Sequence, residues 1–182
     1  MSWCPERLDR APCRGNISFV SKFCAYNFCS GAGKINDPND CAETVTKLKA
    51  ASAAAGSNTK ALALTMIIAD ETDAAAMAKW EHYVAGTDHE AVEWSRAQAS
   101  GDKNAGENST AGRIQRRTGV PFGGSRLIGS YATIARLLDE MAEIEGLAGV
   151  MLTFDDFVIG VEQFGQRIQP LMRSRRNLEL AA

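Results

Sequence analysis

Residues 61–69 read Ala-Leu-Ala-Leu-Thr-Met-Ile-Ile-Ala, apolar at almost every successive position. Side chains alternate between the faces of a strand, so a strand here needs cover on both faces. That need points to a parallel sheet flanked by helices, and no other feature constrains the fold as tightly. The flanking sequence agrees. Acidic residues at 70–73 mark a helix start, and Ala76, Met77, Trp80, Tyr83 and Val84 recur at helical spacing.

The rest of the chain reads as alternating strands and helices. Cys-Ala-Tyr-Asn-Phe-Cys at 24–29 predicts a buried strand that enters a turn at Ser30-Gly31-Ala32-Gly33. Asp40 and Glu43 have the spacing of a capping box, which predicts a helix running to about Ala55 and stopped by Gly56. A further helix is expected over 88–99. The Gly-rich, polar stretch 100–126 predicts a long, lid-like loop. Ser130 is placed to cap a helix with Ile134, Leu137, Leu138 and Met141 on its apolar face, which Gly146 stops. A third strand is expected at 149–154. A closing helix follows, with a stripe of Phe157, Val161, Phe164, Ile168 and Leu171, bent or ended near Pro170. The predicted class is α/β, and three strands alone would leave two apolar edges in need of a partner.

Composition excludes several functions. With 182 residues, 45% apolar and 23% charged, the chain has the make-up of one folded domain. A net charge of -2 offers no basic face for nucleic acid. No apolar run approaches the ~20 residues of a membrane helix, and the first residues, Met-Ser-Trp-Cys-Pro-Glu-Arg, lack a signal core. A cytoplasmic location is therefore expected. The five cysteines, Cys4, Cys13, Cys24, Cys29 and Cys41, include no Cys-x-x-Cys pair and are expected to be reduced, with Cys24 and Cys29 as small buried hydrophobes. His82 and His89 have no companions at ligand spacing, so no metal site is expected.

Several segments resemble a known family. Leu127-Ile128-Gly129-Ser130, the Gly149–Phe157 run Gly-Val-Met-Leu-Thr-Phe-Asp-Asp-Phe and the 164–172 run Phe-Gly-Gln-Arg-Ile-Gln-Pro-Leu-Met resemble the end of a luciferase-like flavin-dependent monooxygenase. Within that class, Tyr26-Asn27-Phe28-Cys29, Ile68-Ala69-Asp70-Glu71-Thr72-Asp73, Lys79-Trp80-Glu81-His82-Tyr83 and Ala85-Gly86 resemble the branch that opens the pyrimidine ring. The resemblance implies the last three βα units of a (β/α)8 TIM-type barrel, incomplete in this chain, since such barrels run to about 250 residues. It implies residues 1–15 as a divergent N-terminal end, 16–176 as the partial barrel with 100–126 as its lid, and 177–182 as a tail. It implies reduced FMN from a separate NAD(P)H-dependent flavin reductase, O2 as co-substrate and a pyrimidine as substrate. An alternative is a non-catalytic half-barrel that pairs through its edges with itself or with a full-length paralogue.

The same resemblance places Cys13 where the family carries a phosphate-binding serine in a glycine turn, with Arg14 beside it as a compensating charge. Both are candidate FMN-binding residues, although the local sequence Arg-Ala-Pro-Cys-Arg departs from the family pattern. No catalytic residue is assigned. Weaker candidates are Arg113, Arg116 and Arg117 in the lid, Gly129-Ser130 as an anion-binding helix start, Trp80 and Tyr83 for stacking, and Asp155-Asp156 at a strand end. All of these except the arginines have ordinary structural readings as core or cap.

Overall fold

A computed structural model describes residues 15–29, 31–101 and 124–175. The sheet has four parallel strands built around β2, Lys60–Asp70. β1, Tyr26–Cys29, pairs with its first part, from Tyr26↔Lys60 to Cys29↔Ala63. β3, Ser125–Ser130, pairs with its last part, from Thr65↔Ser125 to Asp70↔Ser130. β4, Leu147–Phe154, runs beside β2 from Ala61↔Leu147 to Ile67↔Phe154. Residues of β2 that pair with β4 also pair with β1 or β3, so β1 and β3 share one edge of β2 and β4 takes the other. Around the sheet lie α1 (Gly15–Phe23), α2 (Ala42–Ala54), α3 (Asp73–Ala85), α4 (His89–Ser100), α5 (Tyr131–Ala142) and α6 (Phe157–Gln163).

The sequence predicts three strands, and the structure has a fourth, β3, where the lid-like loop was expected to end. Its first residues, Ser125 and Arg126, look like loop but are buried. Their polar groups find partners inside the fold. Ser125 donates to Asp40 at 2.6 Å, and the Arg126 guanidinium donates to the Gly33 carbonyl and lies 5.0 Å from the Trp80 ring. The outer side of β3 is held by residues 34–36: Arg126 N–H donates to Lys34 O and Asn36 N–H to Arg126 O. Asn36, at φ 55, extends this pairing with its side-chain amide, which donates to Ile128 O at 2.8 Å and accepts from Ile128 N–H at 2.7 Å.

Asp40 does not cap α2 as its spacing with Glu43 suggests. Its carboxylate accepts N–H groups from Ala32, Gly33 and Lys34 at 2.9, 2.9 and 3.2 Å, folding the turn after β1 onto β3. α2 starts without a side-chain cap at Cys41, and Glu43 pairs with Lys47 instead. The cap at Ser130 forms as expected, Thr72 caps α3, Asp88 caps α4, and Asp156 caps α6.

One sheet face carries the main core. Ala61, Ala63, Ile67, Leu127 and Phe154 meet Val45 and Leu48 of α2, Ile134, Leu137, Leu138 and Met141 of α5, and Ile168 and Met172. Each fully buried Leu or Ile contributes roughly 1.5–3 kcal/mol. Among the described residues the other face is covered only toward the C-terminal ends of β2 and β3, where Ile68 and Ile128 pack under Ala76 and Trp80 of α3. Farther down the same face Tyr26, Phe28, Leu64 and Met151 are exposed. The expectation of a buried first strand therefore fails: of β1 only Cys29 is buried, and Cys24 is exposed because it precedes the strand outside the core.

The closing stripe is also corrected. Phe157, Val161 and Leu171 are 60%, 55% and 48% exposed, while Gly160, Ile168 and Met172 are buried and Phe164 is partly buried. Gly160 sets this rotation, because a Cβ there would lie 2.5 Å from the Phe154 side chain. With that approach fixed, the inward positions are 160, 164, 168 and 172. A π-turn at Phe164–Ile168 and a 3-10 turn at Gln169–Leu171 around Pro170 carry the chain on. Asp139 of α5 then holds the end by accepting the N–H groups of Arg173 and Ser174 at 2.8 and 3.0 Å.

Candidate active-site rim

All four strands run in one direction, so β2, β3 and β4 deliver their last residues to one end of the sheet. In α/β sheets ligands bind outside the carboxyl ends of the strands, where loops and helix starts supply polar groups. Here that end gathers Asp70 from β2, Ser130 from β3 and Asp155 just after β4.

α3 leaves β2 at this end and turns back over the sheet, with Trp80 buried against Ile68 and Ile128. Lys79 and Tyr83 stand one turn apart on its flank, as i and i+4 positions do. The Lys79 ammonium meets Asp70 at 3.1 Å and donates to the Ala69 carbonyl at 2.9 Å. The Tyr83 hydroxyl donates to Asp155 Oδ2 at 2.8 Å. The N–H of Glu71, with help from Lys79, holds the Asp70 carboxyl below its ordinary value. Burial and the Asp155 carboxylate push the Tyr83 phenol up to about 12, so it stays a proton donor. These four groups are half-buried and stand at the carboxyl end of the sheet face on which Leu64 and Met151, several residues back along β2 and β4, are exposed.

A second polar group closes the other side of the rim. Arg167 reaches both oxygens of Glu71, at 2.7 and 2.9 Å, and its guanidinium lies 4.9 Å from the Tyr131 ring. Asp73 in the first turn of α3 accepts the N–H of Ser130 at 2.6 Å. Two clefts among the described residues lie elsewhere. One, of about 290 Å³, is at the opposite end of β2 near Val45, Leu48 and Gly146. The other, also about 290 Å³, runs along β4 near Leu138, Leu152 and Phe164. The rim stands at the carboxyl ends of the strands, where parallel sheets bind ligands, so geometry favours it as the reacting end.

The residues singled out in the sequence are divided by this geometry. Cys13, Arg14, Arg113, Arg116 and Arg117 lie outside the described residues. Tyr83 and Asp155 come together at the rim, while Asp156 is a cap that accepts from Ile159 N–H at 3.0 Å. Trp80 is core, and Ser130 caps α5 by accepting from Thr133 N–H at 3.3 Å. His82 and His89 are exposed, and no group of three or more metal-ligating side chains occurs among the described residues. The sequence gives Asp70 and Glu71 a role only as a helix start, and assigns no site role to Asp70, Lys79, Glu71 or Arg167. The available signal was position: Asp70 and Glu71 follow a long apolar strand directly, where rim residues fall in a parallel sheet.

No family model matches the chain. Curated relatives do. The chain is 48% identical over 180 residues to the pyrimidine monooxygenase RutA of Variovorax paradoxus, covering 96% of this chain and 48% of that protein. It is 50% identical over 173 residues to the RutA of Allorhizobium ampelinum, covering 91% and 47%. The chain thus spans about half the length of the curated relatives it matches. Among solved structures, riboflavin lyase, bound to modified FMN and riboflavin, matches with a TM-score of 0.66 at 18% identity, over 87% of this chain and 40% of that one. DmoA of Hyphomicrobium sulfonivorans matches at 0.60 and 17% identity, over 93% and 41%. These two likenesses establish the fold, an α/β architecture with a parallel sheet.

Proposed function

We propose that this chain, a relative of the pyrimidine monooxygenases along nearly its whole length, is part of an FMN-dependent monooxygenase that uses reduced flavin and O2 to oxygenate and open a pyrimidine ring. The observation that carries this reading is the gathering of Asp70, Lys79, Tyr83 and Asp155 at the carboxyl ends of parallel strands. The polar groups at this end offer hydrogen bonds to the edge of a heterocycle, and Leu64 and Met151 leave apolar surface exposed farther back on the same sheet face. Reduced flavin, supplied by a separate reductase, would provide the electrons that activate O2. The chain's own groups would orient rings and keep protons in place: Tyr83 as a phenol with its hydrogen toward Asp155, and Lys79 as a cation fixed by Asp70.

The phosphate of FMN would fall to Cys13 and Arg14, and the incomplete barrel would comprise residues 16–176 with 100–126 as a lid. A cytoplasmic location fits the reading, and among the described residues no helix is long and apolar enough to cross a membrane. The test is direct: the purified chain is mixed with FMN, a flavin reductase, NADH, O2 and uracil, and flavin fluorescence and ring-opened product are followed. Quenched fluorescence at tens of micromolar FMN with product formation supports the reading. Absence of both overturns it.

A second reading draws on a different observation. Exposed Tyr26, Phe28, Leu64 and Met151, and the pairing of β4 with β2 alone among the described residues, suit a non-catalytic half-barrel that associates with another copy or with a full-length paralogue.

A further inference from the structure

We infer that a second copy of this chain seats head to tail on the open side of β4, with its β1 and α1 against β4 and α6, and that two such contacts close a pair. The inference rests on the association reading above and commits it to one partner and one geometry. It does not depend on whether the chain oxidises a pyrimidine. β1 and β4 lie on opposite sides of β2, and among the described residues each pairs with β2 alone. A helix with apolar residues in solvent accompanies each of these strands. α6 follows β4 and packs on it, and its Phe157, Val158 and Val161 are 60%, 81% and 55% exposed. α1 precedes β1 and packs on α2, leaving Phe19 and Phe23 61% and 72% exposed with their rings 4.9 Å apart. Both helices stand on the face of the main core, α1 through Ile17 and α6 through Gly160 against Phe154.

An edge strand with spare backbone groups beside a helix with bare apolar residues fits one kind of occupant, a strand and a helix of matching direction. The β1 and α1 end of another copy is such a unit. Charge matches as well: α1 and α6 carry one charged residue each, Lys22 and Glu162, opposite in sign, exposed, and both in the last turn. So do the sheet faces. With Tyr26 of one copy beside Met151 of the other, Cys29 falls beside Phe154, so exposed residues meet exposed and buried meet buried. The contact is head to tail, so it closes into a ring or runs on as a filament. Two copies are the number that length favours: one covers 48% of the Variovorax paradoxus relative, so two approach its whole length.

The test is sedimentation equilibrium of the full chain at low salt, with variants at exposed positions compared after circular dichroism shows that they remain folded. Wild type is expected to be a dimer. Lys22→Glu alone and Glu162→Lys alone each set like charges against one another at both contacts and should raise the dissociation constant about tenfold. Mixing these two variants restores opposite charges at both contacts and should return the wild-type value. Val158→Asp should leave a monomer. A dimer blind to both charge swaps overturns the inference, and its loss on Leu64→Lys with Met151→Lys would show that two copies meet through their bare sheet faces instead. Mass that grows without limit overturns the closed pair. A chain that stays monomeric at hundreds of micromolar overturns the second copy as occupant. Capture by a full-length pyrimidine monooxygenase would then give the open edge to a paralogue and leave the association reading standing. Binding of FMN is read separately by fluorescence, and its failure overturns the proposed function without touching this contact.

Discussion

Asp139 is a carboxylate almost without solvent contact, kept charged by the chain end it holds. Burial opposes its charge, but the N–H groups of Ser174 and Arg173 outweigh burial and bring the carboxyl down to about 2. A depressed carboxylate stabilises the fold above its unfolded value, near 4, and loses that contribution as pH falls toward 2. Asp139→Asn should therefore cost about 2 kcal/mol at neutral pH in urea unfolding, with the difference from wild type vanishing near pH 2. A gap that persists at low pH would count against this. The thiols follow the same logic of environment. Burial, with Cys41 beside it, pushes Cys29 up to about 11, and Cys41 is also raised by burial. Of Cys24, Cys29 and Cys41, exposed Cys24 should alkylate first at neutral pH, as mass spectrometry of iodoacetamide-treated protein would show.

At the scale of elements, the orientation of α6 depends on Gly160. Gly160→Ala would drive a methyl into Phe154 and is expected to cost about 1–3 kcal/mol, read as a lower melting temperature. Val161→Ser, on the outward face, should stay within about 0.5 kcal/mol of wild type. This contrast shows where the sequence was legible. The apolar run of β2, the spacing of α3 and α5 and the cap at Ser130 are local signals, and each element lies where its pattern put it. The closing helix has apolar residues on too many sides, Phe157, Val158, Ile159 and Val161 among them, for periodicity to choose a face. A glycine contact with Phe154, invisible in the pattern, makes that choice. β3 was missed for a related reason: Ser125 and Arg126 are polar, and only their partners Asp40 and Gly33, far back in the chain, make burial affordable. At the rim, Tyr83 and Asp155 were both noticed, but their pairing across 72 positions could not be read from either segment.

For the whole molecule, the exposed Tyr26, Phe28, Leu64 and Met151 share one sheet face with nothing over them among the described residues. Apolar surface gathered this way favours association. Sedimentation velocity is expected to show self-association that rises with concentration, and the double substitution Leu64→Lys and Met151→Lys should shift the chain toward monomer. A wild-type chain that stays monomeric at high concentration would defeat that expectation. The clamp of Asn36 on Ile128 has a consequence for time as well as for shape. Its bonds join residues 92 positions apart, and Asp40 meets Ser125 across 85. Such links close only after most of the chain has been gathered, so the entropy of closure comes before the contacts that repay it. The chain should therefore refold slowly for its size, and a nascent copy would leave β2 without its partner β3 until synthesis has passed residue 130.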